Sequence, residues 1–255
     1  MKKSSIFVSL MVATVFILSG CQSAEQEGAF FHDYLVNPFV QLIHTLGQFL
    51  GNYGFAIIVI TLAVRLILLP LMLNSSKKQQ IMREKMEVVK PEMEKIQKRL
   101  KEAKSQEEQR KIQQEMMQLY QQHNINPFAM GCLPIFIQMP IWMGLYYAIR
   151  ISEDIQAANF LWFKLGEPDI AMALIAGIMY FFQFKVSMIN VPEQQKQQMK
   201  FIGLLSPIMI LVISFSTPAA LPLYWAVSGL FLVGQTWLSK KWYSTHPVTE
   251  GTKQK

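Results

Sequence analysis

GFAIIVITLAVRLILLPLML, residues Gly54–Leu73, is a twenty-residue apolar run interrupted by one charge, Arg65. At 1.5 Å per residue such a run is long enough to cross a bilayer as a helix. Arg65 lies eight residues from the end of the run, on the order of 12 Å in, too deep for easy snorkelling to the surface. An arginine at the centre of a membrane helix costs about 2.5–3.5 kcal/mol and cannot shed its proton. It has to be paired, hydrated or set in a polar cavity. No Asp or Glu occurs inside any other apolar run, so the sequence offers no buried carboxylate partner. A charge carried at this cost points to function.

The rest of the chain is consistent with a membrane protein. Of its 255 residues 51% are hydrophobic and 16% charged, and the apolar residues come in blocks. Lys2 and Lys3, the apolar stretch Ile6 to Leu18 and the small residues after it have the form of a signal peptide. It ends in Leu18-Ser19-Gly20-Cys21, a lipobox-like tetrapeptide. Residues 1–20 are therefore expected to be removed and Cys21 to become a lipidated N-terminus outside the membrane; the other reading is an ordinary first span with an incidental cysteine. Lipidation adds roughly 0.8 kcal/mol of membrane affinity per buried CH₂. Cys132, the other cysteine, lies in an apolar run, so no disulfide framework is expected.

Charge follows topology, which is why the net +7 is not read as nucleic-acid binding. Residues 75–126 hold twelve Lys and Arg against eight Glu, and residues 150–169 hold two basic against four acidic residues. The positive-inside rule puts the first segment in the cytoplasm and the second outside. The expected fold is an all-α membrane protein with five transmembrane helices, at 54–73, 128–149, 170–189, 201–217 and 222–239. The extracytoplasmic segment 21–53 carries an interfacial helix, with Asn37 as its N-cap and Pro38 at its first position. Segment 74–127 is a cytoplasmic helical hairpin, 150–169 an outer loop, 190–200 an inner loop and 240–255 a cytoplasmic tail. In the hairpin Pro91 is expected to start a helix with the seam Met93, Ile96, Leu100 and Ala103. Ser105-Gln106-Glu107-Glu108 is a capping box that starts a second helix, with Ile112, Met116 and Leu119 inward.

Polar residues inside the spans are Thr61 one turn before Arg65, Gln138 between Pro134 and Pro140, Gln183, and Gln235 with Trp237. Each amide either bonds a neighbouring helix, its commoner use, or joins Thr61 in lining a polar cavity. Ser228-Gly229 lacks the preceding residues of a serine-protease elbow, and all four histidines fall outside the spans, so no nucleophile–base pair forms. Nor is there a phosphate-binding loop or a metal-ligand spacing.

Asn126-Pro127, Gly131-Cys132-Leu133-Pro134, Gln138-Met139-Pro140, Leu145-Tyr146 and Leu223-Tyr224-Trp225, taken in order with Arg65 and the hairpin, resemble the YidC/Oxa/Alb membrane protein insertases. The resemblance runs from about residue 35 to about residue 240, and the lipobox with the lack of a large extracytoplasmic domain resembles the Gram-positive lipoprotein form, close to the sporulation-associated and housekeeping paralogues of bacilli. It implies a non-enzymatic insertase and chaperone of the bacterial cell membrane, without cofactor. Its partners would be nascent membrane proteins and the lipid bilayer, with a Sec translocon, ribosome or targeting receptor at the hairpin. Arg65 would be the positive charge of a hydrophilic groove, with Thr61, Gln138, Gln183, Gln235 and Trp237 as lining assigned from polarity and span. The competing reading is a small transporter or channel with Arg65 as an anion-binding site; the spans show no internal repeat in its favour.

Overall fold

A computed structural model of the chain describes residues 26, 28–103, 105–125, 132–189, 191 and 193–243. Cys21 and the signal segment lie outside them, as do Asn126, Pro127 and Gly131 of the resemblance. Predominantly helical, the described chain runs through α1 (Asn37–Leu50), α2 (Tyr53–Glu102), α3 (Gln106–Gln122), α4 (Cys132–Ile151), α5 (Glu153–Ala157), β1 (Asn159–Phe160), β2 (Phe163–Lys164), α6 (Ile170–Ser187), α7 (Glu193–Ser214) and α8 (Ala220–Tyr243). Two compact units divide it: Met1–Ile67 with Gln138–Trp237, and Leu68–Ile137 with Leu238–Lys255.

The first unit is built on an apolar core that includes Ile57, Ile60, Leu145, Ile149, Leu165, Leu221 and Trp225. Its outer surface is also apolar: Leu66, Ile67, Val212 and Leu230 are exposed, Ile67 to 75%. Exposed apolar side chains in such numbers suit a membrane setting. Among the described residues, α2 and α6 are long and apolar enough to cross a membrane. The stretch 150–169, expected as a loop, carries regular structure of its own. It folds into α5 and the antiparallel β1–β2 pair, with Asn159 opposite Lys164. Leu165, fully buried, carries this cap into the core, and the α7–α8 connection bonds to it through Ala219 N–H to the Glu167 carbonyl (2.9 Å) and Ala220 N–H to the Leu165 carbonyl (3.0 Å). Asp169 caps α6 by accepting from Met172 N–H at 2.6 Å.

The helix beginning at Asn37 is not capped there. Asn37 is itself in the right-handed helical conformation, and a π turn, His32–Val36, leads into α1. Proline has no N–H, and its ring clashes with the carbonyl four residues back, which for Pro38 belongs to Tyr34. The wider turn, closed by Asn37 N–H to the His32 carbonyl, makes room for the ring without ending the helix. Val36 and Ile43 are buried, whereas Leu50 is exposed.

In the second unit Pro91 does not start a helix either, because α2 runs on through it. An internal proline costs about 3 kcal/mol. Here Pro91 and Glu87, whose carbonyl loses its donor, both face solvent, while Val89 and Met93 on the opposite side are buried with Leu119 and Ile125. The unsatisfied carbonyl is left to water and the buried face holds the helix together. Arg99 pairs with both carboxylate oxygens of Glu115 (2.7 and 3.2 Å), tying α2 to α3. Ser105 caps α3 as expected, accepting from Glu108 N–H at 3.2 Å. Ser105→Ala should cost about 1 kcal/mol, read as faster hydrogen exchange at Glu108 and Gln109 with the α8 amides unchanged.

At the end of α8, burial and the nearby Arg83 push Lys240 from its ordinary 10.5 down to about 8. Unfolding releases both effects, so between these values the unfolded chain binds the proton that the folded chain has lost. Stability relative to a Lys240→Met variant is therefore expected to rise as pH climbs from about 8 towards 10.5. Thermal unfolding of the two proteins over that window checks the sign.

Candidate functional site

Four helices of the first unit meet around Arg65. On α2, the guanidinium Nε–H donates to the Ser228 hydroxyl of α8 at 3.4 Å, a long bond to a fully buried partner. One turn earlier on α8, the Tyr224 hydroxyl accepts from the Gln138 side-chain amide of α4 and stands within hydrogen-bonding reach of Ser228 and Arg65. Tyr180 of α6 lies near enough to interact electrostatically with both Tyr224 and Arg65. Gly229 allows α6 and α8 to approach this closely. A Cβ there would sit 3.0 Å from that of Met179 and 3.3 Å from the Tyr180 ring, a small-residue contact of the kind membrane helices use.

Arg65 is half-buried, and its polar neighbours are neutral hydroxyls. Among the described residues no carboxylate lies within 4 Å of it. A guanidinium has five donors, and in a low-dielectric setting each one left without an acceptor raises its energy. The arrangement thus holds a positive charge among neutral hydroxyls, through Nε–H to Ser228 and within reach of Tyr224. Among the described residues no three His, Cys, Asp or Glu side chains gather as a metal site.

The residues read from the sequence are distributed unevenly about this point. Gln138 is in it, through Tyr224. Thr61 is buried, and its hydroxyl donates back to the Ile57 carbonyl at 2.6 Å, which occupies it within its own helix. Gln183 lies three residues beyond Tyr180 on the same face of α6, and Gln235 lies seven beyond Ser228 on the same face of α8; both are half-buried. Trp237 is not brought in. Nine residues from Ser228, it stands half a turn round α8 and is 55% exposed. Ser228, Tyr224 and Tyr180 had not been assigned to the site. The signal was present as a polar stripe on α8, Tyr224, Ser228 and Gln235 at i, i+4 and i+11, and as the Tyr180–Gln183 pair.

Comparison with known proteins places the chain in a family. The profile of the 60Kd inner membrane protein family matches residues 45–246. The chain is 51% identical over 250 residues to membrane protein insertase YidC 2 of Listeria monocytogenes serotype 4b (strain F2365), covering 96% of this chain and 91% of that one. It is 50% identical over 215 residues to membrane protein insertase MisCB of Bacillus subtilis (strain 168), covering 81% and 78%. A crystal structure of an active YidC insertase with its first transmembrane domain resolved superposes with a TM-score of 0.57 at 26% identity, over 81% of this chain and 46% of that one. The chain therefore spans about half of that solved protein. With a family profile matched along most of its length and relatives at half identity, the chain belongs to the 60Kd inner membrane protein family, that of the YidC and MisCB insertases.

Proposed function

We propose that the chain is a membrane protein insertase that offers Arg65, at the floor of a hydrophilic groove, to acidic residues in the segment being moved outward. The observation that carries this reading is a fixed guanidinium inside an apolar bundle, with neutral neighbours and no carboxylate partner among the described residues. The bundle crosses the cell membrane through the five spans at 54–73, 128–149, 170–189, 201–217 and 222–239. Segment 74–127 and the tail lie in the cytoplasm, and residues 21–53 outside, with Cys21 lipidated and residues 1–20 removed. Gln138 and Tyr224 form the polar wall beside Arg65, and Gln183 and Gln235 extend it. Thr61 lies one turn before Arg65 on the same helix.

The mechanism follows from the solvent. A polar groove part-way through the bilayer shortens the hydrocarbon path that a hydrophilic tail must cross. Attraction between Arg65 and a carboxylate is strengthened there by the low dielectric, and the pair must stay weak enough to release the substrate. Partition of the substrate's apolar segment into lipid, at about 25 cal/mol per Å² buried, supplies the driving force. The hairpin α2–α3 recruits the cytoplasmic partner that delivers the substrate, a ribosome, targeting receptor or Sec translocon.

The test is insertion of a short membrane protein with an acidic translocated tail into liposomes holding the purified chain. Protease protection of the tail is read against empty liposomes. Protection that requires the chain supports the insertase. Equal protection in both, with small-anion flux through the folded protein, would make Arg65 the binding site of a transporter instead.

A further inference from the structure

At the tip of the β1–β2 pair, Phe160 and Phe163 turn into the core with their rings 5.9 Å apart. The two residues between them are thereby forced outward. Leu161 is 70% exposed and Trp162 56%, the least favourable residues to show to water at a loop tip. Leu161 is also in the left-handed region, φ 53°, where Asn or Gly sits more easily than a bulky side chain. Leu161 therefore gains little from the core in return for that conformation, since most of its surface is exposed. Trp162 has its indole N–H satisfied, donating to Asp169 at 3.2 Å, which leaves the apolar ring as its free surface.

The patch does not end at the turn. Ile170, the first residue of α6, is 70% exposed, and Leu174 and Ile178 continue the stripe at 45% and 49% along the same helix face. That helix is one of the two long and apolar enough to cross a membrane. The turn is therefore continuous with a surface suited to lipid, at the helix end where the interface must fall. An indole with a satisfied N–H is the side chain that membrane interfaces favour.

We infer that Leu161-Trp162 is a lipid anchor: the turn dips into the boundary between headgroups and acyl chains of the outer leaflet and pins the outer cap to the bilayer surface. The inference rests on the membrane-spanning reading proposed above. Its occupant is the bilayer, not a protein, because the exposed stripe runs without a break from the turn onto α6. Lys164 and Glu167, paired with each other at 3.0 Å, supply the polar side of the cap.

The full chain, reconstituted in liposomes, is compared with Trp162→Phe, and the difference in tryptophan emission isolates Trp162 from the other four tryptophans. The expected result is a blue-shifted difference spectrum that loses most of its intensity when bromines are placed near the headgroup end of the acyl chains. It should lose less when they are near the chain ends, and little with aqueous acrylamide. A difference emission quenched by acrylamide and untouched by brominated lipid would overturn the anchor. Insensitivity to both quenchers would also overturn it, showing a turn covered by protein. The emission remaining in Trp162→Phe separates the two readings. If brominated lipid quenches it while the difference spectrum is unaffected, the spans stand and the anchor falls; if brominated lipid quenches neither, the spanning reading itself falls.

Discussion

Arg65→Ala lowers insertion of a substrate with an acidic translocated tail by about ten- to a hundredfold while the protein still folds. A hydrogen bond to a charged group is worth about 1.5–3 kcal/mol, and 1.4 kcal/mol is a factor of ten. Arg65→Lys should retain more activity than alanine, because the charge carries the long-range attraction. It should not reach wild type, since an ammonium has no Nε–H to hold Ser228 while its remaining donors face the substrate. Neutralising the acidic residue of the tail should remove most of the difference between wild type and Arg65→Ala, so the two changes together cost less than their sum. Protease protection of the tail in liposomes measures all of these. Insertion unaffected by Arg65→Ala would leave the insertase standing and discard the charge mechanism. Equal loss in Lys and Ala variants would assign Arg65 a role of shape.

Gly54→Ala destabilises the first unit by about 1–3 kcal/mol, the usual cost of overpacking a filled core. A Cβ at Gly54 would fall on the ring of Phe160, closer than side-chain carbons ever approach. The ring has little freedom to yield: it is buried, with Phe55 against it at 5.1 Å and Phe163 at 5.9 Å, both edge to face. Thermal unfolding in detergent gives the effect, with Gly234→Ala as the control. No atom lies within 4 Å of a Cβ at Gly234, so alanine there should stabilise α8 by up to about 1 kcal/mol. Opposite signs for the two glycines are the expected outcome. A Gly54→Ala protein as stable as the control would show that α2 does not press on the β1–β2 pair. Phe160→Leu should recover part of the loss, because it removes the clashing ring.

Hydrophobic blocks and local hydrogen bonding were readable along the chain because each depends on residues a few positions apart. The Ser105 cap, the buried Ile112 and Leu119, and the polar–apolar contrast between Arg65 and its run follow from spacing alone. Pro91 carries a strong local signal for a helix start, yet the chain stays helical through it by burial of the opposite face. At Pro38 the signal holds in part: the α-helix begins at Asn37 with the proline in its first turn, but a π turn precedes it and Asn37 is not its cap. Trp237 was chosen for its residue type, and the helical phase carries it away from Ser228. Amide side chains in a span are similarly ambiguous, since their use depends on what the next helix presents.

Helix-length apolar runs and one arginine deep inside the first of them are legible in the chain, because the cost of a charge in hydrocarbon can be reckoned from one segment. What holds that arginine is a matter of packing. Ser228 lies 163 residues away along the chain, and Gln138 and Tyr224 are 86 apart, so no local pattern joins them. Their meeting depends on how closely helices pack, which a single glycine such as Gly229 controls, and on which side chain then stands opposite a donor. Helix periodicity says which face a residue occupies; packing alone says what that face meets.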